Sequence, residues 1–335
     1  MSAAVYVSNA DSAEISVLRL DPDGRVRPVQ TVPLPGTVMP LAVGRDARYL
    51  YASLRSDPYS VVCLEIDSGS GELAVQSIVP LPDNMAYLRF DRTGRYLLGA
   101  SYTGSVISFN AVGADGLVDP APIEVLATPP HAHSIITDPS GRFLFVAALG
   151  GDAILQFHFD PSTGRTRPNR PAFVATEPGA GPRHLAFHPD GRFVFVSNEL
   201  DGTVGSFEFN CNTGHLIAVD TYSVLCAGDT DPWTSELRCT PDGRHLYVSE
   251  RRSSTLAGFA VDPGTGGLSP LGHTPTETCP RGFAIDPSGR YLLAAGQQSN
   301  ALAVHAIDPA TGALDLLARH PVGRNPNWVE IIQLR

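Results

Sequence analysis

The chain lacks lysine entirely, so all 24 basic side chains among its 335 residues are arginines. This absence excludes Schiff-base chemistry on a lysine amine and a phosphate-binding loop that ends in Gly-Lys-Ser or Gly-Lys-Thr. The arginines form no basic run, and 34 acidic residues bring the net charge to -10. Nucleic acid is therefore not an expected partner.

Cysteines and long apolar runs are also scarce. The five cysteines are scattered without a Cys-x-x-Cys pair, which argues against a disulfide framework and against a zinc site. No apolar stretch approaches the length needed to cross a membrane, and the first residues do not resemble a signal peptide. These absences favour a cytoplasmic protein with no membrane partner. We expect a monomer or a weak homo-oligomer.

The chain is organised by a repeated phrase, in which Gly-Arg is followed by aromatic and aliphatic residues. Complete copies occupy residues 91–98, 138–145, 188–195, 240–247 and 286–293, and a weaker copy occupies 45–51. Successive phrase arginines are 46 to 52 residues apart and are Arg48, Arg95, Arg142, Arg192, Arg244 and Arg290. A period of about 40–50 residues is typical of β-propeller blades.

Each copy of the phrase predicts a β-hairpin. Proline and glycine in the phrase favour a tight turn, and the aromatic or branched residues after it favour a strand. In one copy, a strand over 193–198 is followed by the polar turn Asp201-Gly202 and a second alternating strand over 203–209. The motif Asp-Pro-x-Thr-Gly then recurs at 160–164, 262–266 and 308–312, and it marks a second turn in the blade.

Six copies leave one blade to be completed by the two ends of the chain. Residues 5–9 and 15–20 match the second half of a copy, while residues 323–332 match the segments that open the other blades. We therefore predict one all-β, seven-bladed propeller over residues 1–335, closed by strands from both termini. No sustained 3.6-residue periodicity competes with this prediction.

The segments that open the blades carry the chemically distinctive residues, and in a propeller such segments line a central channel. Arginines in four of them are expected to converge, namely Arg183, Arg238, Arg281 and Arg324. A guanidinium cluster suits carboxylate or phosphate, because each planar fork contacts two oxygens and stays charged. The alternative is that each arginine only ties neighbouring blades together.

Histidines and a glutamate near these segments supply candidate acid and base groups. His131 and His133 are two residues apart and would face one side of a strand, and His184 adjoins Arg183. A metal site is not expected, because spacing identifies no third ligand. Glu199 follows a phrase and can act as a base or orient a histidine. The alternative for Glu199 is a solvated hairpin tip.

Several of these motifs resemble the bacterial propeller-type 6-phosphogluconolactonase family, which includes a fungal carboxymuconate lactonizing enzyme. The resemblance runs through nearly the whole chain and rests on Gly-Ala-Gly-Pro-Arg-His at 179–184, Asn-Glu-Leu at 198–200 and Cys-Pro-Arg-Gly-Phe at 279–283. It implies metal-independent lactone chemistry with no organic cofactor. The catalytic set that it implies is His133, Arg183, Glu199 and Arg281. Tyr87 and Arg238 depart from the enterobacterial pattern, which has histidines there.

The sequence therefore predicts hydrolysis of an acidic sugar lactone, with 6-phospho-D-glucono-1,5-lactone of the pentose phosphate pathway as first candidate. Glu199 or His133 is the expected base for water, Arg183 and Arg281 are expected to hold the oxyanion, and His184 or His133 is the expected proton donor. Residues expected to bind substrate are His131, Glu236, Arg238, Arg251, Arg324 and Asn327. The alternatives are a hexuronic or hexaric acid lactone, a muconate-type cycloisomerase, and a non-enzymatic interaction scaffold.

Overall fold

The computed structural model describes residues 2–335, and its strands form seven antiparallel sheets of four strands each, here called blades. Blade 1 joins both ends of the chain in the order β28 (Pro326–Gln333), β1 (Ala3–Asn9), β2 (Glu14–Leu20) and β3 (Val26–Pro33). Blade 2 contains β4 (Val38–Val43), β5 (Tyr49–Leu54), β6 (Ser60–Ile66) and β7 (Leu73–Pro80). Blade 3 contains β8 (Met85–Phe90), β9 (Tyr96–Ser101), β10 (Val106–Val112) and β11 (Val118–Ala127).

The remaining four blades follow in chain order. Blade 4 contains β12 (Ala132–Thr137), β13 (Phe143–Ala148), β14 (Ala153–Asp160) and β15 (Arg165–Ala175), with a 3-10 turn at Leu149–Gly151. Blade 5 contains β16 (Pro182–Phe187), β17 (Phe193–Asn198), β18 (Thr203–Asn210) and β19 (His215–Ser223). Blade 6 contains β20 (Thr234–Cys239), β21 (His245–Glu250), β22 (Thr255–Val261) and β23 (Leu268–Pro275). Blade 7 contains β24 (Pro280–Ile285), β25 (Tyr291–Gly296), β26 (Ala301–Ile307) and β27 (Leu314–Pro321).

The blades close into a ring around a channel. The innermost strands contact one another in the order β28, β4, β8, β12, β16, β20 and β24, and β24 contacts β28 again. In blade 1 the C-terminal strand β28 pairs with the N-terminal strand β1, with Val5 opposite Ile331. The predicted seven-bladed propeller closed by strands from both termini is therefore confirmed. Within residues 2–335 no helix is long and apolar enough to span a membrane.

Apolar side chains fill the spaces between blades. Inner strands such as β13 are buried throughout, whereas the outermost strand of the same blade, β15, is mostly exposed. Phe145 of blade 4 contacts Phe187 and Phe209 of blade 5, with ring centroids 5.9 and 5.7 Å apart. Edge-to-face aromatic pairs stabilise a core beyond the area they bury. Contacts of this kind hold one blade against the next.

The repeated phrase forms the turn between the first two strands of a blade. In blade 4 the buried carboxylate of Asp138 accepts hydrogen bonds from the backbone N–H groups of Ser140, Arg142 and Phe143 at 2.7–2.9 Å. The guanidinium of Arg142 stacks on Phe143 and donates to the carbonyl of Cys211 in blade 5 at 2.7 Å. This phrase arginine thus joins neighbouring blades.

Every innermost strand carries one residue more than its partner strand near its start, which is a β-bulge. In blade 4 the pairing passes from Ala132 directly to Ser134 against consecutive partner residues, so His133 is the extra residue. The same shift makes Arg183 and Arg281 the extra residues of blades 5 and 7. The shifts in the other blades fall at Asn327, Ala86, Met39-Pro40 and Ser235-Glu236. A bulge bends its strand and re-aims a side chain.

Replacing the turn carboxylate should destabilise the fold. We expect Asp138→Ala to lower the free energy of unfolding by about 3 kcal/mol, because several buried backbone donors lose their acceptor. Asp46→Ala is the matched control, since Asp46 is exposed in the weaker copy of the phrase and accepts from the N–H of Arg48 at 3.1 Å. Urea denaturation measures both variants. Equal losses in the two would contradict this role for Asp138.

Candidate active site

Equivalent residues of the seven innermost strands form successive rings along the channel. The upper ring consists of one bulged residue from each innermost strand, namely Met39, Ala86, His133, Arg183, Ser235, Arg281 and Asn327. The middle ring is the next residue of each innermost strand and consists of Pro40, Tyr87, Ser134, His184, Glu236, Gly282 and Trp328. The lower ring lies two residues further on and consists of Ala42, Arg89, Ile136, Ala186, Arg238, Ala284 and Glu330. We call the two ends of the channel the upper mouth and the lower mouth.

One carboxylate holds two arginines at the upper mouth. Oε2 of Glu199 lies 2.8 Å from Nε of Arg183 and 2.9 Å from Nη2 of Arg251. Arg183 is 1% exposed and is among the largest fully buried side chains of the protein. A buried guanidinium needs a counter-ion because the loss of its hydration is expensive. Glu199 supplies that counter-ion.

The backbone next to the bulge places Glu199 above Arg183. Gly181 has a φ of +68°, and its carbonyl accepts a hydrogen bond from the N–H of Glu199 at 2.8 Å. A Cβ at Gly181 would lie 2.6 Å from Cγ of Leu200. Glycine is therefore required at this position by both the backbone conformation and the close approach.

The second arginine is fixed by an aromatic ring. The guanidinium of Arg251 lies 3.9 Å from the ring centroid of Trp233, and its Nε donates to the Trp233 carbonyl at 3.0 Å. Glu250 accepts a hydrogen bond from the N–H of Trp233 at 2.6 Å, which ties this loop to the end of β21. Cation–π and hydrogen-bond contacts together leave Arg251 little freedom to leave Glu199.

Positive charge exceeds negative charge in this cluster. Burial, then the charges of Arg183 and Arg251 and more weakly Arg55, lower the pKa of Arg281 well below its ordinary value. Burial and Arg183 likewise lower the pKa of Arg251 to about 9. Guanidinium groups remain protonated in proteins, so these shifts express burial first and, after it, crowding of like charges around the carboxylate of Glu199. An anion bound among the arginines relieves that crowding.

The charge of Glu199 is strongly stabilised. Burial raises the pKa of its carboxyl group, but the charges of Arg183, Arg251 and Arg281 outweigh burial and hold the pKa below its ordinary value. A carboxylate with a depressed pKa is a weaker base. The geometry therefore suits Glu199 to aligning arginines better than to accepting a proton from water.

Two neutral imidazoles lie directly below the arginines. Burial, then the charge of Arg183, lowers the pKa of both His133 and His184 well below the ordinary value. Their ring centroids are 5.1 Å apart. Nδ1 of His184 donates to Oε1 of Glu236 at 3.1 Å, which leaves the lone pair on Nε2. Nδ1 of His133 and Nε2 of His184 are buried without a hydrogen-bond partner among residues 2–335.

Aromatic side chains close the channel at the middle ring. Tyr87 packs edge-on against His184 and Trp328, with centroids 5.1 and 5.4 Å away, and His184 lies 5.7 Å from Trp328. All three side chains are buried. We call this group the plug. It separates the arginine cluster of the upper mouth from the cavities of the lower mouth.

The upper mouth thus combines guanidinium donors with a neutral imidazole. Preorganised donors stabilise an oxyanion that develops on a carbonyl oxygen, and a neutral imidazole accepts a proton from water. Among residues 2–335 no group of three His, Cys, Asp or Glu side chains is arranged to hold a metal ion. The arrangement suits attack of water on a carbonyl compound that carries negative charge.

The chain is similar to known proteins over nearly its whole length. Residues 3–331 match the family described as "Lactonase, 7-bladed beta-propeller". This chain belongs to that family. It is similar to the 6-phosphogluconolactonases of Pectobacterium carotovorum, with 39% identity over the full length of both chains, and of Serratia proteamaculans, with 39% identity over 99% of each. Its fold is similar to the periplasmic gluconolactonase of Pseudomonas aeruginosa, with a TM-score of 0.93, 30% identity and full coverage of both chains.

Membership in the lactonase family confirms the resemblance found in the sequence and the prediction of a lactone-hydrolysing enzyme. Within this lactonase, six of the sequence-predicted site residues lie together around the upper mouth. They are His133, Arg183, His184, Glu199, Arg251 and Arg281. Glu236 reaches the same group through His184. Their catalytic and binding roles remain predictions.

The other predicted residues are not part of this group. Arg324 is exposed and donates to the carbonyl of Asp11 at 3.2 Å. The buried side chain of Asn327 is bonded within the protein, to Ser8 and to backbone carbonyls. His131 precedes β12 with a φ of +65° and stacks on Tyr102 at 4.2 Å. It therefore does not share a strand with His133.

Arg238 lies below the plug rather than with the arginines of the upper mouth. Its Nε is 3.5 Å from Oε1 of Glu236, and its Nη2 is 3.9 Å from Oε1 of Glu330. Glu330 in turn accepts a hydrogen bond from Nε1 of Trp328 at 2.9 Å. Arg238 therefore belongs to the lower mouth.

Sequence reasoning missed Arg55 and Tyr102 at the upper mouth, although a signal for both was present. Each lies seven residues after a phrase arginine, as Glu199 and Arg251 do, so the offset marks one equivalent position in each blade. Arg55 contacts Asn84 and Met39, and the Tyr102 ring packs edge-on against His133 at 5.8 Å. Applying the offset to every copy of the phrase identifies both residues.

Proposed function

We propose that this lactonase hydrolyses 6-phosphoglucono-1,5-lactone to 6-phosphogluconate at the upper mouth. The observation that carries the proposal is the excess of guanidinium groups around Glu199 beside the neutral imidazole of His133. A substrate that carries a phosphate and develops an oxyanion during reaction meets the need of this cluster for negative charge. The full-length relatives named 6-phosphogluconolactonase support the same substrate.

In the proposed reaction, His133 removes a proton from water as the water oxygen attacks the lactone carbonyl carbon. Arg183 and Arg281 stabilise the resulting oxyanion, since both lie at bulges beside His133. The bond from the former carbonyl carbon to the ring oxygen then breaks, and His133 returns its proton to that oxygen. Glu199 aligns Arg183 and Arg251 and does not act as the base.

His184 has a supporting role in this proposal. Its Nδ1–H is fixed on Glu236, so its Nε2 can only accept a hydrogen bond while the ring is neutral. Both imidazoles are crowded by the same arginines, which disfavours protonation of both at once. We assign His184 to orienting water or a substrate hydroxyl, and the phosphate group to Arg55 and Arg251.

We also infer that the enzyme works in the cytoplasm, as a monomer or a weak homo-oligomer. All five cysteines are free thiols, and two of them are buried. Free thiols are typical of a reducing compartment. Cell fractionation, with light scattering of the purified protein, tests both statements.

A panel of lactones tests the proposed substrate. We expect rapid proton release in weak buffer from freshly prepared 6-phosphoglucono-1,5-lactone, and slower release from glucono-1,5-lactone and from a hexaric acid lactone. The reason is that only the first places a phosphate on the arginine cluster. Rates are corrected for spontaneous opening. Preference for glucono-1,5-lactone would instead assign the activity in the name of the Pseudomonas aeruginosa protein.

Arginine variants test the placement of the site. Arg281→Ala should lower kcat/KM about 100-fold or more, because an oxyanion donor is lost. Arg324→Ala is the matched control: its exposed guanidinium donates to the Asp11 carbonyl and is not part of the arginine cluster, and we expect kcat/KM within about twofold of wild type. Steady-state kinetics measures both. A large loss of kcat/KM in Arg324→Ala, with no loss in Arg281→Ala, would contradict the placement of the active site at the arginine cluster.

The lowered pKa of His133 predicts the pH dependence. A general base works in its neutral form, and burial keeps His133 neutral below the ordinary imidazole value of 6.5. We therefore expect kcat/KM to stay constant as the pH falls through 6.5 and to decline only at lower pH. Stopped-flow proton release measures the profile, and His133→Gln should lower the rate about 100-fold or more. A decline centred above pH 6.5 would exclude His133 as this base.

A further inference from the structure

The lower mouth contains a second set of arginines that the proposed reaction does not use. Two adjoining cavities of about 300 and 330 Å³ open there, and both are lined by Tyr87, Arg89, Arg92 and Thr137. Arg45 lines the first cavity and Arg238 lines the second. Tyr87 of the plug lines both cavities and Trp328 lines the first, whereas no arginine of the upper mouth lines either.

Two of these arginines occupy a position that is proline in most copies of the phrase. The residue after the first phrase position is Pro139, Pro189, Pro241 and Pro287 in blades 4 to 7, but it is Arg45 in blade 2 and Arg92 in blade 3. Their stems pack over the turns of the following blades, since a Cβ on Gly94 would lie 3.0 Å from Cβ of Arg45, and one on Gly141 would lie 3.2 Å from Cβ of Arg92. Both guanidinium groups are thereby held at the rim of the cavities.

The carboxylates of the lower mouth already have partners. Asp91 accepts hydrogen bonds from the backbone N–H groups of its own turn. Glu236 accepts from His184, and Glu330 accepts from Trp328. By contrast, the guanidinium groups of Arg45, Arg89 and Arg92 have no carboxylate within 4.0 Å and donate no hydrogen bond to another described residue. These three arginines are exposed and line the cavities.

We propose that the lower mouth is a binding site for a multiply charged phosphate compound, separate from the lactone site. Four guanidinium groups around two adjoining cavities suit a ligand with several oxyanion groups, because each planar guanidinium binds two oxygens at once. A free polyphosphate and the polyphosphate tail of a nucleotide share this chemistry. Binding there does not require the reaction proposed for the upper mouth.

The site is connected to the plug through Arg238. This guanidinium stands between Glu236, which holds His184, and Glu330, which holds Trp328. A phosphate that draws Arg238 into the cavity changes the charge that these two carboxylates experience. The bound ligand therefore acts on the plug from below while the lactone occupies the channel above it.

Isothermal titration calorimetry with inorganic pyrophosphate, and separately with ADP, tests this proposal. We expect wild-type protein to bind pyrophosphate. The double variant Arg89→Ala/Arg92→Ala should bind pyrophosphate with an affinity at least about tenfold lower. Arg281→Ala removes a guanidinium of the upper mouth and should retain this binding. Arg165→Ala is the control for loss of an exposed arginine on an outer strand, and it should also retain binding.

The outcomes are distinguishable from those of the lactonase assay, because the readout is binding rather than turnover. Tighter binding of ADP than of pyrophosphate would identify a nucleotide as the source of the phosphates, and equal binding would identify the polyphosphate alone. Absence of binding to wild-type protein would overturn the proposal, as would undiminished binding to a double variant whose unfolding temperature matches wild type. Loss of binding in Arg281→Ala alone would assign the phosphate to the upper mouth and overturn it as well.

Discussion

The extra residue near the start of each innermost strand determines what the channel contains. A regular strand would alternate its side chains between the two faces of the blade, and each face packs against a neighbouring blade. The bulge interrupts this alternation, so that His133, Arg183 and Arg281 are set apart from the apolar packing on either side. Serine hydroxyls hold some bulges in place across blades: Ser235 donates to the carbonyl of Arg281 at 2.6 Å.

Glu199 decides whether buried arginines are tolerable at this point of the fold. Three guanidinium groups close to one carboxylate would repel one another strongly in a dry interior, and water at the mouth only partly screens them. The free protein therefore holds positive charge that is incompletely compensated, at the place where an anionic substrate would bind. Stability and function therefore depend on the same ion pairs. Gly181, in the left-handed conformation, positions this glutamate by accepting a hydrogen bond from its N–H.

The overall fold could be predicted from the sequence because its signals repeat. Six phrase arginines at a nearly constant period indicate six blades, and strands such as β17 and β18 lie where the turn residues predict them. The termini could be joined because residues 323–332 match the other blade openings. These signals are local and are present in several copies, so a single weak copy does not hide the pattern.

The detailed site could be predicted only in part, because the bulges have no sequence signal of their own. Arg324 was grouped with Arg281 as an arginine near a Pro in a blade opening, but register makes Asn327 the equivalent of Arg281. Arg238 was grouped with Arg183, although it lies three residues beyond the equivalent Ser235. Arg55 follows the weakest copy of the phrase, so the seven-residue offset that marks its position is hardest to recognise there. Long-range packing, which closes the plug between Tyr87 and Trp328, lies beyond any local pattern.

A crystal structure with 6-phosphogluconate bound tests the central claim most directly, because it locates the anion relative to the two mouths. We expect the product above the plug, with its carboxylate in hydrogen-bond contact with Arg183 or Arg281 and adjacent to His133. Product bound only in the cavities of the lower mouth, or only on the outer surface of the blades, would contradict it.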